Sequence, residues 1–171
     1  MEFNIDTFHP LVLNIGLARH NADWNWKNVS SPFARLYYVI EGTAKVILPD
    51  HIVSLREGYM YFIPAFTPHS YECTSSFVHY YAHIYEDPQT KYLFLEDWVL
   101  PEEIRAGTLE LSLFQELYSL NPTMKLSKSD PSTYDNSSTL ASNLLKNKQR
   151  PLYNKMMSRG IIYQLLAPFF K

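Results

Sequence analysis

The chain has 171 residues, of which 46% are hydrophobic and 19% charged, and its formal net charge is −2 at pH 7. This length and apolar content predict a single folded domain with a sizeable core and exclude a disordered chain. The sequence has no apolar run of about 18 residues and no signal-peptide pattern, so we expect a cytoplasmic protein with no membrane partner.

Short strands separated by turn residues dominate residues 34–85. The segments are RLYYVI (35–40), TAKVIL (43–48), HIVSL (51–55), YMYFI (59–63) and FVHYYAHIY (77–85). Gly42, Pro49-Asp50 and Gly58 supply the turn chemistry between them. Strands about ten residues apart with such turns predict an antiparallel sandwich or barrel rather than βαβ units. The residues before 34 are expected to add edge strands.

Helical periodicity replaces this pattern after Pro88. Segments 100–120, 138–148 and 151–171 are predicted to be helices, and residues 121–138, which are polar and rich in Pro and Ser, a partly ordered loop. The last helix is apolar on more than one face, so packing on one sheet would not bury it. We expect a second helical surface, such as that of another subunit, to cover it.

The charge is distributed unevenly along the chain. Residues 1–120 contain 7 Lys and Arg against 15 Asp and Glu, whereas residues 121–171 contain 8 against 2. The basic end fits an anionic partner and fits a solvated helical face equally well. No block of Lys and Arg reaches the density of a nucleic-acid-binding arm.

The spacing of Gly58, Pro64 and His69 resembles the second conserved motif of the cupin superfamily, G-x5-P-x-G-x2-H-x3-N. Phe66 replaces the middle glycine of that motif and Cys73 replaces its final asparagine. Cys73 is the only cysteine, which excludes an internal disulfide, and we expect it to be a small buried side chain.

The first cupin motif is present only in part. With Gly42 in its glycine place, the metal-binding glutamate place falls on Arg35, and the His-x-His places fall on residues 28–31, which contain no histidine. At about 4 Å and an effective dielectric near 20, a guanidinium repels a divalent cation by roughly 8 kcal/mol. We therefore predict no metal, no cofactor and no enzymatic activity. The alternative is a metal-dependent cupin enzyme, an isomerase or dioxygenase, with a relocated site at His69, His79 and His83.

Residues 35–86 resemble the amino-terminal effector-binding and dimerisation domain of AraC-type transcriptional regulators. The resemblance implies a mainly β, cupin-like double-stranded β-helix, or jelly-roll barrel, over residues 1–100, followed by α-helices. The barrel would bind a small effector, often a sugar. Residues 101–171 would form the homodimer contact and the start of a linker. In that family DNA binds to a helix-turn-helix domain, which is expected to lie outside this chain, in a longer bacterial protein.

The same resemblance assigns ligand-binding residues. It places the sugar-lining side chains on His69 and Tyr71, and on His79 and Tyr81 of the next strand. Alternation also puts odd-numbered residues 77–85 on one strand face, which carries the hydrogen-bonding aromatic groups. The opposite face of the strand, with Val78, Ala82 and Ile84, is more apolar. Hydrophobicity alone would therefore predict that this face turns inward.

Three further residues complete the predicted ligand site. Arg35 and Tyr37 share an inward strand face if the glutamate correspondence holds, and Arg35 would then offer donors to a ligand. The alternative for Arg35 is a surface salt bridge with Glu41 or Glu57. Trp26 either closes the mouth of the pocket or packs on an edge strand. We assign no ligand role to His9, His20 and His51.

Overall fold

Two antiparallel sheets form a roll in the structure, a computed structural model that describes residues 3–87, 93–97 and 99–171. The larger sheet has the spatial order β1 (Pro10–Asn21), β7 (Ser76–Glu86), β2 (Ala34–Gly42), β5 (Tyr59–Ile63) and β8 (Glu103–Arg105). The smaller has the order β4 (Ile52–Leu55), β3 (Ala44–Ile47) and β6 (Ser70–Glu72). The predicted cupin-like β-roll followed by helices is confirmed.

The larger sheet is buried on both of its faces. Along β7, Phe77 and Tyr81 pack in the roll interior, whereas Tyr80, Ala82 and Ile84 belong to the cluster on the opposite face. The predicted inward face of this strand is therefore confirmed. The competing apolar face is buried as well, because helices cover it.

In the described part of the chain, four α-helices complete the fold: α1 (Phe94–Asp97), α2 (Thr108–Leu120), α3 (Ser137–Gln149) and α4 (Leu152–Leu166). α2 and α4 pack against each other and against β1, and their buried residues join one hydrophobic cluster with the outer face of the sheet. None of the helices in the described ranges has the length and hydropathy needed to cross a membrane.

The predicted helix over residues 100–120 is wrong at its start. Residues Glu103–Arg105 form strand β8, which pairs with β5 so that Tyr61 lies opposite Glu103. The Tyr61 hydroxyl donates to Glu103 Oε2 (2.8 Å), and Arg56 Nη2 donates to Glu103 Oε1 (2.7 Å). These tertiary contacts override the local helical pattern, and the helix begins only at Thr108.

Two turn positions depend on left-handed backbone. Gly42 has φ +78°, and a Cβ there would lie 2.1 Å from the carbonyl oxygen of Ser76, so only glycine fits. Phe66, which stands in the glycine place of the cupin motif, has φ +57° and an exposed side chain. The backbone shape of the motif is thus retained without its glycine, at a cost of roughly 1–2 kcal/mol.

Candidate functional site

A cavity of about 140 Å³, here called the roll cavity, lies between the inner face of the larger sheet and the segment that connects α2 to α3. Residues 123–129 of that segment cross the end of the roll and are called the strap. The roll cavity is lined by Leu17, Ala18, His20, Trp24, Tyr37, His79, Tyr81, His83, Leu126, Ser127, Lys128, Ser129 and Tyr134. Its wall therefore consists mainly of aromatic and imidazole rings, with no carboxylate.

A chain of hydrogen bonds links the cupin-motif histidine to the roll cavity. His69 Nδ1 lies 2.7 Å from the Thr67 carbonyl, which can only accept, so Nδ1 carries the proton. His69 Nε2 then accepts from the Tyr71 hydroxyl (2.7 Å), and the Tyr71 oxygen lies 2.9 Å from the Tyr37 hydroxyl. Both ring nitrogens of His69 are thus engaged. Its effect on the cavity is to orient the hydroxyl of Tyr37.

Stacked rings hold His79 in the cavity wall. Its ring stacks on Phe77 (4.8 Å between centroids) and on His20 (5.5 Å), and meets Tyr37 edge-on (4.9 Å). His79 Nδ1 is buried and has no hydrogen-bond partner among the described residues. A buried polar atom without a partner is rare in folded proteins, and it marks a place where a ligand can supply the missing bond.

Arg35 is buried beneath this wall, at 1% exposure. Its Nη2 donates to Ser31 Oγ (2.8 Å), which in turn donates to Asp135 Oδ2 (3.2 Å). The guanidinium also lies 5.1 Å from the centre of the Phe33 ring, while its Nε has no partner within the described part of the chain. The surface salt bridge with Glu41 or Glu57, our alternative for Arg35, is wrong.

Tyr81 connects the cavity to the strap. Its ring lies over Gly16 of β1, where a Cβ would come within 2.3 Å of the tyrosine oxygen. The Tyr81 hydroxyl accepts from the Leu126 backbone N–H (2.8 Å). Two further bonds attach the strap to β1, because the Met124 carbonyl accepts from the Ile15 N–H (3.2 Å) and from the Asn14 side chain (3.5 Å).

Burial keeps the imidazoles and phenols in and behind the wall neutral. It holds the pKa values of His79 and His83 well below the ordinary value, and it lowers that of His20. Burial, helped by the nearby charge of Arg35, lowers the pKa of His69 to about 4. Burial also raises the pKa of Tyr81 to about 12. Near pH 7 these imidazoles and phenols are therefore uncharged hydrogen-bonding groups.

The structure brings most of the predicted ligand-binding residues to one region. Tyr37, His79 and Tyr81 line the roll cavity. His69, Tyr71 and Arg35 are buried behind this wall and do not line it.

The tryptophan of the site differs from our assignment. Trp26 is half-buried and packs on the hydrophobic cluster of the roll interior without lining the cavity, whereas Trp24 lines it and stacks on Tyr71 at 4.0 Å. His20, to which we assigned no ligand role, also lines the cavity and stacks on Trp24 (5.2 Å). Residues 22–27 do not form a strand, so strand alternation does not set the directions of the two indoles.

The residues at the cupin metal positions do not fit a divalent cation. The buried guanidinium of Arg35 stands at the glutamate place, and both nitrogens of His69 already have partners. No group of three or more His, Cys, Asp or Glu in the described ranges is arranged to hold a metal ion.

Comparisons with known proteins return structural neighbours only. No family model and no curated protein matches the chain. The solved structures include the ethanolamine utilization protein EutQ from Salmonella typhimurium (16% identity, TM-score 0.37, 40% of this chain and 55% of EutQ). They also include a cupin-2 domain protein from Shewanella frigidimarina (21% identity, TM-score 0.36, 47% of this chain and 80% of that protein). A third is a salicylate 1,2-dioxygenase from Pseudaminobacter salicylatoxidans (14% identity, TM-score 0.37, 46% of this chain and 26% of the dioxygenase). The chain therefore spans about half the length of EutQ. Because each of these likenesses covers less than half of this chain, we argue its function from its own residues.

Proposed function

We propose that this chain is the ligand-sensing and dimerisation part of an AraC-type transcriptional regulator, and that it binds a small sugar or sugar-like molecule in the roll cavity. The observation that carries the proposal is the unpartnered Nδ1 of His79 in a buried wall of tyrosine, tryptophan and imidazole rings. Such a wall offers apolar faces for a sugar ring and hydrogen-bonding edges for its hydroxyls. Regulators of this type act in the cytoplasm.

The size and charge of the roll cavity favour a neutral single-ring ligand. Its volume of about 140 Å³ is below the roughly 300–1,000 Å³ that is typical of drug-sized ligands. A cavity of about 150 Å³ is known to accommodate benzene, so a monosaccharide is near the upper limit unless the strap moves. Apart from Lys128 of the strap, the wall consists of uncharged groups, because it has no carboxylate and its histidines are neutral, and its ring hydrogen-bonding groups suit the hydroxyls of a neutral ligand.

The enzyme alternative requires a metal that the cupin positions are poorly suited to hold. Sensing requires only differential binding to two states of the protein, which a strap over the cavity can provide. Elemental analysis of protein purified without chelator separates the two functions. Stoichiometric iron, manganese, nickel or zinc would favour the enzyme and overturn the sensor proposal.

A thermal-shift panel tests the ligand assignment. Pentoses, hexoses, disaccharides and sugar acids are added to the full chain, and a ligand at a hundred times its Kd adds roughly 2.7 kcal/mol of stability. We expect one sugar class to raise Tm by several degrees, and His79→Ala and Tyr37→Phe to remove that shift. Tyr80→Phe, on the opposite face of β7, is the matched control. If the sugar still raises Tm in both His79→Ala and Tyr37→Phe, the ligand does not bind in the roll cavity.

The homodimer is proposed to form through α4. Its first half exposes Leu152 (69%), Tyr153 (64%), Met156 (67%) and Met157 (37%), an apolar face that α2 and the sheet do not cover. Size-exclusion chromatography with light scattering should give a dimer for the wild type and a monomer for Met156→Glu. Leu145→Glu, an equally exposed apolar position on α3, should leave the dimer intact. A wild-type monomer at high concentration would contradict the proposal.

A further inference from the structure

A second cavity of about 510 Å³, here called the basic cleft, lies on the outer side of the strap, between the strap and α3. Its volume falls within the roughly 300–1,000 Å³ range of small-molecule sites. The segment 133–134 and the α3–α4 junction close its remaining sides. The basic cleft is thus a concave site formed mainly by residues after position 120, together with Leu13 and Asn14 of β1.

The lining of the basic cleft is cationic. Lys125 and Lys128 of the strap, Lys146 of α3 and Arg150 of the α3–α4 junction all line it, and no Asp or Glu does. Within the described residues, none of the three lysines forms an ion pair with a carboxylate. Four positive groups that line one concavity repel one another, and a bound anion would relieve that repulsion.

Arg150 differs from the lysines because its position is fixed. It is half-buried, and its Nη2 donates to Ser158 Oγ of α4 (3.0 Å). Burial lowers its pKa, which means that water solvates this charge less well than an exposed one. The remaining guanidinium donors can bind an anion without first ordering a flexible side chain.

Neutral polar groups accompany these charges. Thr123 and Ser127 of the strap and Thr139 and Asn143 of α3 also line the cleft. Hydroxyl and amide groups can bind the hydroxyls of a polar ligand beside its charged group. The combination differs from that of a solvated lysine face, where charges stand on a convex surface without such neighbours.

We infer that the basic cleft binds a phosphate-bearing small molecule, of about the size of a sugar phosphate. Compact lysine ammonium groups and an arginine fork are the side chains that bind phosphate most often. A concave site of this size suits a small ligand, whereas the backbone of duplex DNA would need an extended basic surface. The inference also accounts for the uneven charge of the sequence, because the cleft draws on the basic residues after position 120.

Calorimetric titration of the full chain at low ionic strength tests this inference. The probes are glucose 6-phosphate, inorganic pyrophosphate, citrate, unphosphorylated glucose and a short DNA duplex. We expect glucose 6-phosphate or pyrophosphate to bind more tightly than citrate or glucose. Lys146→Ala should weaken that binding at least about tenfold, since a charge-assisted hydrogen bond contributes that much. Lys148→Ala, an exposed lysine on the same helix that does not line the cleft, is the matched control and should leave the affinity unchanged.

Three outcomes would overturn the inference. The first is that neither phosphate probe binds. The second is that Lys146→Ala and Lys148→Ala weaken phosphate binding equally, which would indicate diffuse surface charge. The third is that the DNA duplex binds more tightly than either small probe, which would assign the basic residues to nucleic acid. None of these results depends on the ligand of the roll cavity, because the thermal-shift panel with His79→Ala tests that site separately.

Discussion

Strap residues Leu126, Ser127 and Lys128 line both the roll cavity and the basic cleft, and the chemistry differs on their two sides. The roll cavity is small and mostly aromatic, and its tyrosine and imidazole groups on the strands are buried, whereas Ser127, Lys128 and Ser129 of the strap are exposed. The cleft is larger and carries four cationic groups, three of them exposed lysines. If both proposed sites bind ligands, selectivity in the roll would depend on shape and on satisfied hydrogen bonds, whereas affinity in the cleft would depend on charge and fall as salt is added. One wall thus separates two sites that respond to different solution conditions.

Acidification should affect the roll far more than the cleft, and this is the largest effect we expect. The folded-state pKa of His69 is about 4, against 6.5 for an unperturbed histidine. Between these values the unfolded chain binds more protons, so the free energy of unfolding rises with pH and falls on acidification. Each such histidine contributes about 1.4 kcal/mol per pH unit. His79 and His83, whose pKa values are also lowered by burial, act in the same direction.

Urea denaturation between pH 7 and pH 4 measures this dependence. His69→Gln should reduce the slope of the unfolding free energy against pH by the contribution of about one proton. The exposed His51 acts in the opposite direction, because hydrogen bonds to Glu102 and Asp50 raise its pKa. No histidine, Asp or Glu among the described residues lines the cleft. A free energy of unfolding that stays constant from pH 7 to pH 4 would contradict the buried, neutral roll.

Gly16→Ala should disturb the roll cavity selectively. The new Cβ would lie 2.3 Å from the Tyr81 hydroxyl oxygen, so the buried tyrosine must move away from β1. Such overpacking costs roughly 1–3 kcal/mol. Gly160→Ala is the control, because a Cβ there meets no atom within 4 Å, and a helix interior gains about 1 kcal/mol from alanine. Opposite changes in Tm are expected. Equal stabilisation by both substitutions would show that Tyr81 does not lie against Gly16.

The roll was more predictable from the sequence than the cleft, for a physical reason. Strands β2 to β5 and β7 follow from local alternation and from turn residues such as Gly42, whose backbone only glycine can adopt. The pairing of β8 was missed, because Glu103–Arg105 is too short to show a period and is fixed by contacts to distant Tyr61 and Arg56.

The site was predictable only where side chains alternate along a strand. Tyr37, His79 and Tyr81 reach the roll cavity from strands whose faces the sequence reveals. Trp24 was missed in favour of Trp26, because the irregular backbone of residues 22–27 sets their directions. The role of the strap was also hidden, since the bond between Leu126 and Tyr81 joins residues 45 positions apart in the chain.

Tyr81→Phe should loosen the strap but keep an aromatic ring in the wall of the roll cavity. It removes the acceptor of the Leu126 N–H, a bond whose loss costs about 1 kcal/mol. Hydrogen exchange measured by NMR should show faster exchange of the Leu126 amide in this variant. Tyr80→Phe, on the other face of β7, should leave that amide protected. If the Leu126 amide exchanges equally fast in the wild type, the strap is not held by Tyr81.

Arg35→Met should have the smallest effect on stability. Arg35 is buried, with one unpartnered nitrogen, and it meets the carboxylate of Asp135 only through Ser31. Replacing a buried charge by an apolar side chain of similar length is often neutral or stabilising. We therefore expect Tm, measured by thermal denaturation, to stay constant or rise in Arg35→Met. This result would show that the fold does not need the buried guanidinium of Arg35, whereas the three lysines of the cleft are exposed. A large fall in Tm would instead assign Arg35 to the structural network of Ser31 and Asp135.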